Sequence, residues 1–461
     1  MSIIKAYTLP HPPLAIPSVG RGQERQISDT LQAMDEVANE IAAIAPETII
    51  YITPHSTVYS DHFHISPGST AKGDLGKFGK PEETFETAYD EELISAISEI
   101  AKYNEISAGT QGEKDAALDH GVTVPMWYIN KRYKDYRSIR IAQSFMPPSE
   151  HYLLGQIISK AVEATGRKTV VIASSDLSHK LHRGAPYGFA AEGPKFDTMF
   201  TVALAKGDFL SLLKIPDTLR ERAGECGYNS LMILAGCFDR LNVEAQLLSY
   251  EGPFGVGYAV ASFKPAGENQ ARNILEQYVE YALEESEMKR NTEDGHQILA
   301  RQSLEHIITT GNKLSVPRGL SGDLLNERAG TFVSIHKNGR LRGCVGTILP
   351  TTNNIAEEII QNAISAGLSD NRFPQVTAEE LPYLVYKVDV LGAPEPISGP
   401  DQLDVKRYGV IVTSGMRRGL LLPNLDGVDS VEEQVSIACR KAGINDDEPV
   451  KLERFEVIRH E

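Results

Sequence analysis

His11 and His55 occupy matching settings, each just past a short apolar run and beside proline, in Leu9-Pro10-His11-Pro12-Pro13 and in Ile52-Thr53-Pro54-His55-Ser56. Open α/β sheets bind ligands in the crevice outside the carboxyl ends of their strands, so an imidazole at such an end is placed for metal ligation. Ser174-Ser175-Asp176-Leu177-Ser178-His179 repeats the design after the run Thr169 to Ala173, and Leu118-Asp119-His120-Gly121 supplies a further histidine. A carboxylate, Glu225, stands in Gly224-Glu225-Cys226-Gly227, where the pattern opens a helix whose dipole favours an acid in its first turn. Two imidazoles and one carboxylate, His11, His55 and Glu225, are the donor types of a non-haem Fe(II) centre, which leaves positions open on one face for substrate and O₂. His179 and His120 would then stand behind the ligands, where an imidazole titrating near neutral pH can take a proton and later return one. A single strand-end histidine is more often a hydrogen-bonded loop residue than a ligand; several facing one crevice shift that balance. His62, His64 and His182 lie in polar stretches and are expected at the surface, with one of the first two a candidate for the pocket wall.

These side chains need a sheet to bring them together. Ile3 to Leu9 and Ile49 to Thr53 read as buried parallel strands. Between them Leu31, Met34, Val37, Ala38, Ile41 and Ala42 recur at helical spacing, a strand–helix–strand unit that sets two strand ends side by side. Helices are expected over 90–102, 150–164, 196–205 and 208–213, with one opening at Gly224. Strands are expected over 138–142, 168–173, 243–250 and 258–263. His120 falls in a Gly/Pro-punctuated turn, and the glycines at 252, 255 and 257 make a tight turn without the spacing of a dinucleotide site. The fold class is therefore α/β, a mixed, mainly parallel sheet flanked by helices, with a smaller α+β domain after it. Domain limits are expected at 1–265 and 290–461, joined by a helical linker over 266–289.

At 461 residues the chain is too long for one ordinary core. With 41% hydrophobic and 23% charged residues it has a globular balance, and a net charge of −16 argues against nucleic acid or an anionic membrane as partner. No apolar leader and no run of about 18 apolar residues is present, so a cytoplasmic location is expected. Cys226, Cys237, Cys344 and Cys439 are scattered, without a CxxC pair, so no disulfide framework or structural zinc site is suggested. Nothing in the sequence bears on oligomeric state, which leaves a homo-oligomer open.

Residues 1 to about 265 resemble the class III extradiol ring-cleavage dioxygenases, the LigB-like superfamily, in the branch that includes the Memo proteins. Pro10-His11-Pro12-Pro13, Thr53-Pro54-His55, Leu118-Asp119-His120-Gly121 with Pro125, Ser175-Asp176-Leu177-Ser178-His179 and Gly252-Pro253-Phe254-Gly255-Val256-Gly257-Tyr258 carry the likeness. The resemblance implies His11 and His55 as ligands, Glu225 as the carboxylate, and His120 and His179 as acid/base groups. It also implies Fe(II), with zinc or copper as alternatives, and a small catechol-like or aminophenol-like substrate together with O₂. In Memo-like relatives a cysteine occupies the carboxylate neighbourhood, and a Cys226 thiolate would suit a softer metal; Glu225 is preferred because a hard oxygen donor suits Fe(II). The same branch contains proteins regarded as metal-binding or peptide-binding scaffolds without oxygen chemistry, and a zinc-dependent hydrolase is a third reading.

From about residue 290 the chain resembles the AMMECR1 family, on Gly330-Thr331-Phe332-Val333, Leu341-Arg342-Gly343-Cys344-Val345-Gly346, Asp370-Asn371-Arg372-Phe373 and Gly419-Leu420-Leu421-Leu422-Pro423. This resemblance also implies a radical-SAM protein as a partner. Arg342 and Cys344 alternate along one predicted strand; a guanidinium beside the thiol would lower its pKa, although burial as a packing residue is the commoner fate of cysteine.

Overall fold

The computed structural model describes residues 3–112, 117–425, 427–445 and 448–461. The chain divides into two compact units, Met1–Val279 and Glu280–Glu461.

The first unit is built on a six-stranded sheet with the order Arg137–Ala142, Thr48–Thr53, Thr169–Ser174, Ile3–Leu9, Tyr258–Glu268, Leu241–Glu251. The first four strands are mutually parallel; Tyr258–Glu268 pairs antiparallel with Ile3–Leu9, and Leu241–Glu251 antiparallel with Tyr258–Glu268. Thr48–Thr53 and Thr169–Ser174 are buried at every residue, the mark of strands covered on both faces. Their side chains alternate between two cores. Ile49, Tyr51, Val170 and Ile172 join the helices Ser28–Ile44 and His120–Asn130 on one face. Ile50, Ile52, Val171 and Ala173 join Glu91–Tyr103, Pro148–Thr165, Glu192–Lys206 and Tyr228–Gly236 on the other. The Ser28–Ile44 helix buries Met34, Val37, Ala38 and Ile41 as its spacing requires, each worth up to about 1.5–3 kcal/mol for the larger side chains.

Three local expectations change. The strands Ile3–Leu9 and Thr48–Thr53 are not neighbours, because Thr169–Ser174 lies between them and pairs with both. His120 is not in a turn but is the first residue of an eleven-residue helix that tolerates Pro125 in its interior. The last strand runs beyond residue 265 to Glu268. Pro265 is tolerated there because pairing with Ile3–Leu9 stops at Phe263, so its missing N–H breaks no ladder bond on that side. A helix, Ile274–Arg290, follows.

The second unit holds two four-stranded antiparallel sheets, ordered Arg340–Gly346, Thr331–Lys337, Leu384–Leu391, Val457–His460 and Glu395–Ile397, Lys451–Phe455, Gly409–Ser414, Arg417–Leu421. The first hairpin turns on Asn338 and Gly339, both at positive φ (53° and 81°), which the two-residue turn needs to match strand twist. Among the described residues no helix is long and apolar enough to cross a membrane.

Candidate metal centre

The crevice forms where three parallel strands end. His11 follows Ile3–Leu9, His55 follows Thr48–Thr53, and Thr169–Ser174 between them leads toward His179. His11 Nε2 lies 3.0 Å from His55 Nε2, with the rings edge to face at 4.8 Å. His120 stacks on His55 at 4.1 Å and sits 5.4 Å from His11, with Phe78 a further 5.4 Å edge contact on its side. Two of the strand ends crowd the head of the His120–Asn130 helix at Gly121, where a Cβ would meet the Thr53 hydroxyl at 2.3 Å and the Ser174 hydroxyl at 3.2 Å.

Hydrogen bonding fixes the His11 tautomer. The Ser174 hydroxyl has one proton, and it donates to the Gly121 carbonyl at 2.6 Å. At 2.8 Å from His11 Nδ1 it can therefore only accept, so Nδ1 carries the ring proton and Nε2 presents its lone pair to the crevice. Burial and the neighbouring His55, His120 and His179 hold His11 well below the usual imidazole range. Burial, then His120, brings His55 down to about 4; burial, then Lys77, does the same for His120. All three are neutral at pH 7, the state a metal requires of an imidazole.

The third donor that converges is Cys226 and not Glu225. Cys226 Sγ is 3.5 Å from His11 Nε2, and donor atoms of His11, His55 and Cys226 all lie within 4.8 Å of one another. Glu225 is spent on the fold: it accepts from the Tyr228 amide at 2.7 Å, at the head of the Tyr228–Gly236 helix, and lies 3.8 Å from the Arg220 guanidinium. Burial raises its pKa against the pull of Arg220. Ligand hardness favours Glu225; the turn instead brings the Cys226 thiol to the two imidazoles. Gly227 packs on Ser175 so tightly that a Cβ would fall 1.9 Å from its hydroxyl. Its amide bonds the Asp176 carbonyl at 3.1 Å, and the Cys226 carbonyl is held by Gln143 at 2.9 Å. Burial, then Asp176 and Glu225, pushes the Cys226 thiol well up, so it stays protonated until a cation displaces the proton.

His179 lies beside this centre. Its Nε2 is buried without a hydrogen-bond partner, its ring is 5.2 Å from that of Tyr187, and burial lowers its pKa. Asp176, unassigned from the sequence, anchors the centre: one oxygen accepts from the His11 amide at 2.9 Å and the other lies 3.7 Å from His11 Nε2. Burial pushes it up to about 7. Ser174 was equally unassigned, although a serine closing an all-apolar strand is the signal that marks it. His182 is exposed, as expected, bonded to the Gly252 carbonyl. His64 is not at the surface: it is fully buried in the short strand Phe63–His64, with Nδ1 3.1 Å from the Gln111 carbonyl. His62 is half-buried and lines a cavity of about 500 Å³.

In the second unit the segment around Cys344 is tightly held. Arg342 is held by both oxygens of Glu380 at 3.0 and 2.8 Å, so its charge is not offered to the thiol. Gly343 passes the helix Ile355–Leu368 where a Cβ would meet the Ala366 carbonyl at 2.1 Å. Burial raises the Cys344 pKa against a bond from Ser334, opposite to the low-pKa thiolate considered from the sequence.

Fold and site together define an α/β protein with a two-histidine, one-thiol donor set at the carboxyl edge of a mainly parallel sheet. The family model for the catalytic LigB subunit of aromatic ring-opening dioxygenase matches residues 5–261, and the AMMECR1 model matches residues 298–460. The chain thus belongs to the LigB family, with an AMMECR1 domain following. Protein CA_C1420 of Clostridium acetobutylicum is 40% identical over 100% of this chain and 99% of its own length. A Thermotoga maritima protein is 48% identical over 34% of this chain and 91% of its own. Among solved structures, uncharacterized protein PH0010 of Pyrococcus horikoshii is 34% identical, covering 36% of this chain and 88% of that one, with a TM-score of 0.33.

Proposed function

We propose that the first unit binds one metal ion through His11, His55 and Cys226 and opens the ring of a small aromatic substrate with O₂, with His179 and His120 moving the protons. The supporting observation is the convergence of two neutral imidazoles and one thiol at the strand ends, with the His11 lone pair turned inward by Ser174. This donor set departs from the two-histidine, one-carboxylate expectation, and a thiolate suits copper or zinc as well as iron. When bound, the metal supplies Lewis acidity and, as iron or copper, the electron steps that O₂ requires.

The chain's own residues do the rest. His179 takes a proton from a substrate hydroxyl at Nε2, which is buried, neutral and free. His120, stacked on His55, is placed to return one. Tyr187 beside His179 and Phe78 beside His120 offer aromatic surfaces to a flat ring. We place this chemistry in the cytoplasm, where thiols stay reduced; Cys226, Cys237, Cys344 and Cys439 form no disulfide. A radical-SAM protein remains part of the proposal as a partner, to be read by co-purification.

The thiol in place of a carboxylate favours one alternative, a metal-binding or peptide-binding scaffold without oxygen chemistry. Anaerobic reconstitution with Fe(II), then O₂ uptake with a panel of catechols and aminophenols, separates the two. Uptake that is lost in His179→Ala supports ring opening. No uptake from any substrate by the iron-loaded protein, with tight binding of a peptide, supports the scaffold. A zinc-loaded protein indifferent to O₂ points to a hydrolase.

A further inference from the structure

We propose that the second unit carries a divalent-cation site of its own, of the nitrogen/oxygen donor class that takes zinc, formed by Asp294, His296 and His460 with Asp323 beside them. The four residues come from separate places: the cap and first turn of Gly295–Thr310, the short helix Gly322–Asn326, and the last strand Val457–His460. One donor atom from each of Asp294, His296 and His460 lies within 4.8 Å of the others. The Asp294 carboxylate spans both rings, bonded to His460 Nδ1 through one oxygen and 3.8 Å from His296 Nδ1 through the other. Asp323 lies 3.5 Å from His296 Nε2.

Protons serve this group poorly. The two rings stack at 3.8 Å and 18°, so protonating both sets like charges face to face. With both neutral, two carboxylates stand against imidazoles that carry no charge, and His460 Nε2 is buried without a partner. A single dication neutralises the acids and uses both rings. Parallel rings aim their lone pairs in parallel. Each must therefore turn about its Cβ–Cγ bond, a broad torsion, before both nitrogens reach ~2.1 Å from one ion. Asp294 and Asp323, both half-exposed, give an ion its way in.

The site is independent of the centre in the first unit, and one experiment reads both. The full chain is loaded with Co²⁺ and the bound ions are counted by equilibrium dialysis. Two ions per chain are expected, falling to one in His296→Gln/His460→Gln, with the thiolate-to-cobalt absorption of Cys226 retained. His11→Ala/His55→Ala should keep one ion and lose that absorption. A wild-type chain holding one ion without the thiolate band would support this site and refute the centre at Cys226. One ion with the band, or two ions in the His→Gln double variant, would overturn the proposal. Should that variant not fold, Asp323→Asn leaves the cap and both rings in place. It is expected to weaken the second ion roughly tenfold, and unchanged affinity would equally overturn it.

Discussion

Replacing Ser174 by alanine tests the reasoning at the metal centre most directly. The change deletes the acceptor 2.8 Å from His11 Nδ1 and the donor to the Gly121 carbonyl at 2.6 Å, both in a fully buried setting. Without that acceptor the ring gains by moving its proton to Nε2, where His55 Nε2 waits at 3.0 Å. A metal must then pay to reverse the tautomer. Loss of such a partner costs roughly 10- to 100-fold in affinity, or about 1.4–2.7 kcal/mol at 1.36 per factor of ten. Two buried groups left without partners add a stability loss of about 1–3 kcal/mol each. Competition against a chromophoric chelator, with circular dichroism to confirm folding, measures the first; denaturant unfolding measures the second. Ser175→Ala is the control, because that hydroxyl is buried with no hydrogen-bond partner. A folded Ser174→Ala protein that binds metal within twofold of wild type would refute the tautomer assignment.

Cys226→Ser should lose tight metal binding. Glu225→Gln should retain it and lose about 1 kcal/mol of stability through a weaker helix-terminal bond; dialysis and thermal melts on the pair separate ligand from cap. His179→Ala should keep the metal and lose O₂ uptake, measured with an oxygen electrode. Metal affinity should rise with pH, because the Cys226 thiol is held protonated by burial and gives up about one proton on binding; calorimetry in buffers of different ionisation enthalpy counts it. Asp197 is pushed up to about 6 from 3.8 by burial. Because the folded state keeps this proton longer, its stability relative to Asp197→Asn should fall by about 3 kcal/mol as pH rises from 3.8 through 6. Glu358 accepts from the Thr351 and Thr352 amides, both at 2.9 Å, and from the Thr347, Thr351 and Thr352 hydroxyls. Glu358→Leu strands those donors and should cost about 3 kcal/mol or more in unfolding of the second unit.

The sequence by itself determined the strand-end histidines. Short apolar runs that must be buried on both faces read as central strands, and prolines after the first two mark where pairing stops, so the strand-end placement of His11 and His55, and of His179 past the third run, was legible before any coordinates. The Asn338-Gly339 turn was legible for a similar local reason, since few other residue pairs accept two positive φ values. Only the tertiary structure decided which strand lies between which, because pairing partners are chosen by packing across the whole sheet and leave no periodic trace. It also set Glu225 and Cys226 apart. These adjacent residues look equally placed in the chain, but the contact of Gly227 with Ser175 and the pull of Arg220 and the helix amide turn one side chain into the fold and the other into the crevice. Orientations at a turn are set by what the turn rests against, and that surface comes from residues some fifty positions away in the chain.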